Sequence, residues 1–131
     1  MTKKLLVISP HPDDEVLGAG GTIAKYKAQG YHVTVLTIAG HLPPVYSDES
    51  YKTTLAEAKK CHQLLGVSES LFLDFPATTL VHVPVHKISS SIQQAVNDVN
   101  PDVVLIPYPD RHTDHKVVFE VSLVATRPYR Q

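Results

Sequence analysis

Two short segments of this 131-residue chain hold most of the side chains that could carry out chemistry. Residues 10–15 read PHPDDE and place one imidazole and three carboxyl groups directly after an apolar run. Residues 110–115 read DRHTDH and hold two of the chain's 8 histidines. Imidazoles and carboxylates are the side chains that bind metal ions and transfer protons, so both segments are candidates for a catalytic site.

The acidic segment has two interpretations. Asp13 or Asp14 could cap a helix or complement its dipole, which is the common role of one acid at a helix start. A cap requires only one carboxylate, however, and adjacent carboxylates repel each other unless a cation lies between them. His11 lies between two prolines that stiffen the turn, and Asp13 and Asp14 follow the second proline directly; one imidazole and two carboxylates packed this closely favour a metal site over a simple cap.

The glycines that follow suggest a third possibility, a nucleotide-binding loop. Residues 18–21 read GAGG, which does not match the G-x-G-x-x-G spacing of such loops. The acids before them would also repel a pyrophosphate at the helix start. A nucleotide-binding α/β domain is therefore the weakest functional alternative.

The histidine segment complements the acidic one. His112 and His115 are three residues apart and share a face once a helix has begun. A solvated turn with an aspartate cap is the simpler interpretation, but a second strand end could bring this segment to His11 and Asp14. The set His11, Asp14 and His115 suits zinc with an open position for water, and it also suits non-haem iron(II). With Asp13 as general base and His112 as acid or oxyanion stabiliser, this set predicts metal-assisted hydrolysis.

The elements that must position these groups alternate between strand and helix. Short apolar, β-branched runs predict strands at residues 5–9, 32–39, 71–75 and 103–107. Apolar residues at three- and four-residue steps predict helices at residues 17–29, 50–65, 85–99 and 115–125. This order predicts an α/β fold, a Rossmann-like parallel sheet with helices on both faces and the catalytic site at the carboxyl ends of the strands. Residues 129–131 are expected to have no partner element.

Charge and composition exclude several classes of protein. A formal net charge of −1 without a basic block offers no electrostatic surface for nucleic acid. No apolar run approaches the roughly 20 residues that span a bilayer, and the apolar run near the start is too short for a signal peptide. One cysteine, Cys61, predicts a reducing compartment, the cytoplasm. The length predicts a single domain over residues 1–131.

The two segments resemble the signatures of the PIG-L/LmbE-like zinc-dependent deacetylases, which remove acetyl groups from N-acetylglucosaminyl and related sugar conjugates. Residues 10–15 look like the first signature and residues 112–115 like the second, and the similarity covers about residues 4–125. The resemblance implies zinc held by His11, Asp14 and His115. It also implies Asp13 as general base and His112 as the acid or oxyanion-stabilising group.

The resemblance has three further implications. Asp114 would orient an imidazole by a hydrogen bond. The partner would be a small acetylated amino-sugar conjugate, with assembly into a homo-oligomer left open. Members of the family are usually longer, so the chain resembles the N-terminal part of such an enzyme, with C-terminal truncation left open. A truncated metal-binding domain without turnover is therefore the alternative function.

Five other side chains have simpler interpretations. His41 and Tyr46 lie in the loop after the second predicted strand and are interpreted as solvated loop residues within reach of the site. His62 is interpreted as a surface histidine of the second helix, and Cys61 as a small core residue. His82 alternates with valines and is assigned to the polar face of an extended segment.

Overall fold

A four-stranded parallel sheet forms the centre of the computed structural model, which describes residues 1–128. The strands are β1 (Lys4–Ser9), β2 (His32–Gly40), β3 (Glu69–Pro76) and β4 (Val103–Leu105), in the spatial order β3-β2-β1-β4. β1 and β2 are buried along almost their whole length. Their continuous apolar, β-branched sequences suit strands that are covered on both faces.

Four helices connect and follow the strands. They are α1 (Asp14–Ala28), α2 (Asp48–Leu65), α3 (Val85–Val99) and α4 (Thr113–Ala125), with one 3-10 turn at Leu80–His82. The Ser47 hydroxyl caps α2, and Gly66 ends it in the left-handed conformation that glycine adopts without strain. Within residues 1–128, no helix combines the length and apolar character needed to cross a bilayer.

The helices cover both faces of the sheet, and each face has its own core. α3 and α4 pack on one face, against a cluster that includes Leu6, Ile8 and Leu36. α1 packs on the other face, where Ile23 contacts a cluster that consists of Leu5, Val7, Val33 and Val35. Successive residues of a strand point to opposite faces, so β1 supplies both cores at once.

The α/β prediction is confirmed, but several boundaries differ. α1 begins at Asp14 and not at residue 17, and α4 begins at Thr113 and not at residue 115, so both helices start earlier than predicted and inside a chemistry-bearing segment. β4 is two residues shorter than predicted. The extended segment predicted around His82 is wrong, because Leu80 is buried and its carbonyl closes a tight turn with the amide of Val83. The expectation for residues 129–131 lies outside the described residues.

The strand order creates the crevice in which the site lies. The chain passes from β1 outward to β2 and β3, and then crosses back to β4 on the other side of β1. The loops after β1 and β4 therefore leave the sheet in opposite directions, which is the topological switch point where ligands bind in such sheets. Residues 10–13 follow β1 and residues 106–112 follow β4, so both segments reach this point.

Two matched leucine truncations test this assignment of the core. Leu36→Ala removes a side chain with no exposure, whereas Leu64 is 81% exposed. We expect Leu36→Ala to lower the free energy of unfolding by about 2–5 kcal/mol, and Leu64→Ala to change it by less than about 0.5 kcal/mol. Urea unfolding followed by circular dichroism measures both. Equal effects would contradict the assignment of β2 to the core.

Candidate functional site

The two chemistry-bearing segments meet at the carboxyl ends of β1 and β4. His11 lies two residues beyond β1 and is 8% exposed, and His115 lies in the first turn of α4. Their ring centroids are 5.3 Å apart. The tertiary fold thus brings together residues that are more than 100 positions apart in the sequence, as the strand-end argument predicted.

Three potential ligand atoms converge on one point. Asp14 Oδ2 lies 3.3 Å from His11 Nδ1 and 3.1 Å from His115 Nε2. All three atoms lie within 4.8 Å of one another. Ligand atoms about 2.1 Å from a tetrahedral ion lie about 3.4 Å from one another, so the spacing and the donor types both fit a metal ion. The structure therefore brings together the three residues that the sequence proposed as ligands.

The opposite nitrogen of each imidazole faces a second carboxylate. His11 Nε2 lies 2.7 Å from Asp114 Oδ2, and His115 Nδ1 lies 2.8 Å from Asp110 Oδ2. When each of these nitrogens carries the proton, the nitrogen near Asp14 presents its lone pair to a cation. This arrangement is the usual way in which proteins fix the tautomer and the orientation of metal-binding histidines.

The family resemblance implies such an orienting role for Asp114 but implies no role for Asp110. Besides His115, Asp110 accepts a hydrogen bond at Oδ1 from the backbone N–H of His112, at 2.7 Å. It therefore fixes the loop as it enters α4. Asp110 and His115 are five residues apart, whereas side chains that meet on a helix are three or four residues apart. The spacing in the sequence therefore did not predict this contact, and only the folded turn shows it.

Asp114 is fully buried and links three parts of the site. Besides His11, it accepts hydrogen bonds from the backbone N–H groups of Thr78, at 2.6 Å, and Leu80, at 3.3 Å. Burial alone would raise its pKa, but the hydrogen bonds from His11 and these amides lower the pKa below its usual value. The ionised carboxylate therefore holds His11 against the loop that follows β3.

Two carboxylates act on the protonation of His11. Burial alone lowers its pKa because burial disfavours the charged ring, but hydrogen bonds to Asp114 and Asp14 outweigh burial and raise the pKa to about 9. The same contacts, with the charge of His115, lower the pKa of Asp14 against the opposing effect of burial. The site thus has excess negative charge that attracts either a proton or a metal cation.

Asp13 occupies the first position before α1 without acting as a cap. Its φ of 115° is in the left-handed region, and its side chain makes no capping hydrogen bond in the described part of the chain. The capping interpretation of this carboxylate is therefore not supported. Burial and the charges of Asp14 and Glu15 raise its pKa above the usual 3.8. A raised pKa makes a carboxylate a better proton acceptor near neutral pH.

His112 caps α4 through its ring. Its Nδ1 accepts a hydrogen bond of 3.1 Å from the backbone N–H of Asp114, so the neutral ring carries its proton on Nε2. The ring centroid lies 4.7 Å from those of His11 and His115. His11, His112 and Asp114 form a second possible donor set. The first set is favoured because Nδ1 of His112 and the carboxylate of Asp114 are already engaged.

A cavity of about 540 Å³ opens beside Asp13, between α1 and α2. Ligand sites commonly have volumes of about 300–1,000 Å³, so a small molecule fits here. Apolar and polar side chains both line it: Pro12, Asp13, Glu15, Val16, Leu17, His41, Thr54, Glu57, Ala58 and Cys61. A second cavity, of about 440 Å³, lies near Lys4 and His32 at the opposite end of the strands, away from the ligand atoms.

The structure agrees with the position expected for His41 and changes the interpretation of Cys61 and His62. His41 lies near the site, with its ring 6.2 Å from that of His11 and 4.5 Å from that of Tyr46. Cys61 is half-buried and lines the cavity instead of the core. The surface assignment of His62 is wrong, since only 2% of this residue is exposed. Its ring turns inward to Glu15 and Phe72, and helical spacing alone could not show these contacts.

Comparisons with known proteins give a consistent result. The model of the PIG-L family, described as GlcNAc-PI de-N-acetylase, matches residues 6–126. A diacetylchitobiose deacetylase of Thermococcus kodakarensis is 33% identical over 123 residues, which are 87% of this chain and 45% of that protein.

Solved structures agree with this match. The conserved protein TT1542 of Thermus thermophilus superimposes with a TM-score of 0.80 at 32% identity, over 95% of this chain and 55% of that one. The N,N'-diacetylchitobiose deacetylase of Pyrococcus horikoshii gives 0.82 at 26% identity, over 94% and 49%.

The matched region includes both segments that the sequence singled out. The chain spans about half the length of these three proteins. The resemblance on which the sequence analysis relied is confirmed, because the family model covers nearly the whole described chain. The fold, the two signatures and the family match together show that the chain belongs to the PIG-L family of de-N-acetylases.

Proposed function

We propose that this chain carries the metal centre of a zinc-dependent hydrolase that removes the N-acetyl group from an N-acetylglucosamine-type sugar conjugate. The observation that carries the proposal is the convergence of His11 Nδ1, Asp14 Oδ2 and His115 Nε2. The names of the relatives support the substrate class, because they describe deacetylases of N-acetylated sugars.

Zinc is the metal that these donors favour. Two imidazole nitrogens and one carboxylate oxygen leave an open position, as in catalytic zinc sites, and iron(II) would accept the same donors. When bound, zinc supplies a water of lowered pKa and polarises the acetamide carbonyl. Asp114 and Asp110 hold the imidazoles, so the chain presents the ligand atoms in the required orientation.

The chain's own residues account for the proton transfers of amide hydrolysis. Asp13 takes a proton from the attacking water as the water oxygen bonds to the acetyl carbon. The Nε2–H of His112 donates a hydrogen bond to the carbonyl oxygen as this oxygen gains charge. As the C–N bond breaks, the proton that Asp13 has taken passes to the sugar nitrogen, which regenerates the Asp13 carboxylate, and the products are acetate and the free amine.

The alternative function is a metal-binding domain without turnover. It is favoured by the coverage of about half of the relatives' length, because the remaining half of those proteins could supply walls of the substrate site. Catalysis by the 131 residues alone, as one domain, is therefore part of the proposal. The proposal also includes a cytoplasmic location, which is based on the single cysteine. It further includes a small-molecule partner instead of nucleic acid, and any assembly into a homo-oligomer.

Metal stoichiometry is the first test of the proposal. We expect about one zinc per chain after purification without chelators, measured by elemental mass spectrometry, because three ligand atoms converge. His115→Ala should lose the metal, whereas His86→Ala, which changes an exposed histidine, should retain it. A wild-type chain that binds no zinc would contradict the metal centre.

The pH dependence of metal binding follows from the raised pKa of His11. Below about pH 9 the folded metal-free chain holds a proton on His11, and a metal must displace it. Between pH 7 and 9 we expect zinc affinity to rise about tenfold per pH unit, measured by competition with a chromophoric chelator. Affinity that does not change over this range would contradict the proton displacement.

The same proton stabilises the metal-free fold. The folded pKa of about 9 exceeds the unfolded value of 6.5, so the stabilisation is complete below pH 6.5 and disappears as the pH rises through 9. The free energy of unfolding of the metal-free chain should therefore fall over this range. His11→Gln should remove most of the pH dependence.

Asp13→Asn tests the general base separately from the metal. The variant should keep zinc, because Asp13 is outside the ligand set, and should lower kcat on diacetylchitobiose by about 10²–10⁴-fold. Asp98→Asn, which alters an exposed aspartate of α3, serves as the control and should retain full turnover. Wild-type turnover in Asp13→Asn would contradict the proposed role.

A further inference from the structure

Glu15 and His62 form a buried pair next to the ligand set. Glu15 is 3% exposed and His62 is 2% exposed, and Glu15 Oε1 lies 2.6 Å from His62 Nε2. A carboxylate at this depth is costly unless it is paired and fully hydrogen-bonded. The hydrogen-bond partners of the other carboxylate oxygen, Glu15 Oε2, therefore show which part of the structure the Glu15–His62 pair supports.

That second oxygen, Glu15 Oε2, accepts a hydrogen bond of 3.1 Å from the backbone N–H of Asp13. The Ser9 hydroxyl lies 2.9 Å from the same oxygen and 2.6 Å from the carbonyl oxygen of His11. Because a hydroxyl carries one proton, Ser9 donates to one of the two at a time. Glu15 is thus bonded to the backbone of the turn that carries both Asp13 and His11.

The backbone of Asp13 requires such support. Its φ of 115° is a conformation that residues other than glycine rarely adopt, and such strain persists only where surrounding contacts hold it. The contact from Glu15 to the amide of Asp13 is of this kind. The direction of the Asp13 carboxylate therefore depends on the position of Glu15.

His62 holds Glu15 from the other side. Its Nδ1 lies 2.7 Å from the hydroxyl of Ser70 in β3, and its ring stacks on Phe72 with centroids 6.1 Å apart and planes at 8°. Both oxygens of Glu15 therefore have hydrogen-bond partners: Oε1 faces His62, and Oε2 faces the Asp13 amide and the Ser9 hydroxyl. The pair thus joins α1 to both α2 and β3.

We propose that Glu15 is a positioning residue for Asp13, and that His62 of α2 fixes Glu15 in the orientation this task requires. Neither side chain belongs to the ligand set or to the proton-transfer groups. The catalytic readout of this inference rests on the proposed deacetylase function, whereas its structural readout does not. Without the donor on His62, Glu15 is no longer held in place and its hydrogen bond to the Asp13 amide is lost. The imidazoles of His11 and His115 keep their own contacts with Asp114 and Asp110.

The test compares two substitutions of His62. The amide nitrogen of Gln can occupy the place of Nε2 and donate to Glu15, whereas Leu fills the space without a donor. We expect His62→Leu to lower kcat on diacetylchitobiose by about 10–100-fold with KM within about threefold, since small misplacements of a catalytic group have this effect. His62→Gln should restore kcat to within about threefold of wild type, and both variants should bind about one zinc.

A second readout needs no turnover. Hydrogen exchange at the Asp13 amide, followed by NMR on zinc-loaded protein, should accelerate about 10–100-fold in His62→Leu but not in His62→Gln. The amide of Val35 in β2 provides an internal reference. His86→Leu, the same change at an exposed histidine, should leave every readout unchanged.

Glu15→Met provides a second route if His62→Leu fails to fold. It removes the buried charge and both acceptor oxygens, so neither His62 nor the Asp13 amide keeps its partner. It should reproduce the fall in kcat and the faster Asp13 exchange. Unchanged kcat and unchanged exchange in folded His62→Leu or Glu15→Met would overturn the inference. An inactive wild-type chain would instead refute the proposed function, and the exchange data would still decide this inference.

Discussion

The buried hydrogen bond between His11 and Asp114 joins the two halves of the site, and the arrangement of the other groups depends on it. One partner follows the first strand and the other begins the last helix, 103 residues later. The bond fixes the ring of His11 so that its other nitrogen faces Asp14, and it uses a carboxylate with no exposed surface. Formation of the site therefore requires that β4 has already joined β1, because only then does α4 start beside the turn after β1.

The charges around this bond explain why the region suits a cation. Asp13, Asp14, Glu15 and Asp114 bring four carboxyl groups to one end of the sheet, and each acts differently because its partners differ. Glu15 and Asp114 are buried, with imidazole and backbone donors around them. Asp14 faces two imidazoles, and Asp13 has no capping bond in the described region and a raised pKa. Four chemically similar groups thus divide into two buried carboxylates that hold the structure, one that faces the two imidazoles of the candidate metal site, and one uncapped carboxylate with a raised pKa.

The sequence was sufficient to predict the strands and helices that follow from a local apolar pattern, and the ligand set that follows from residue type. β1, β2 and α3 follow from apolar periodicity, and the set His11, Asp14 and His115 follows from residue chemistry at two strand ends. The sequence did not show the contact of Asp110 with His115, which depends on how one turn folds back. Nor did it show the burial of His62, because helical spacing gives the face of a residue but not its partner across the interface. Tertiary contacts of single side chains are the part that pattern alone could not supply.

The loop after β3 holds Asp114 through main-chain groups only. The amides of Thr78 and Leu80 donate to the carboxylate, whereas the side chains of this loop take no part in that contact. A backbone N–H remains when the side chain is replaced by almost any other. Substitutions at Thr78 and Leu80 therefore leave these donors to Asp114, and with them the orientation of His11, unchanged. Proline is the exception, because it lacks the N–H, and at Thr78 it is also incompatible with a φ of 70°. The loop can therefore change its outer surface over evolutionary time while the centre beneath it keeps the same geometry.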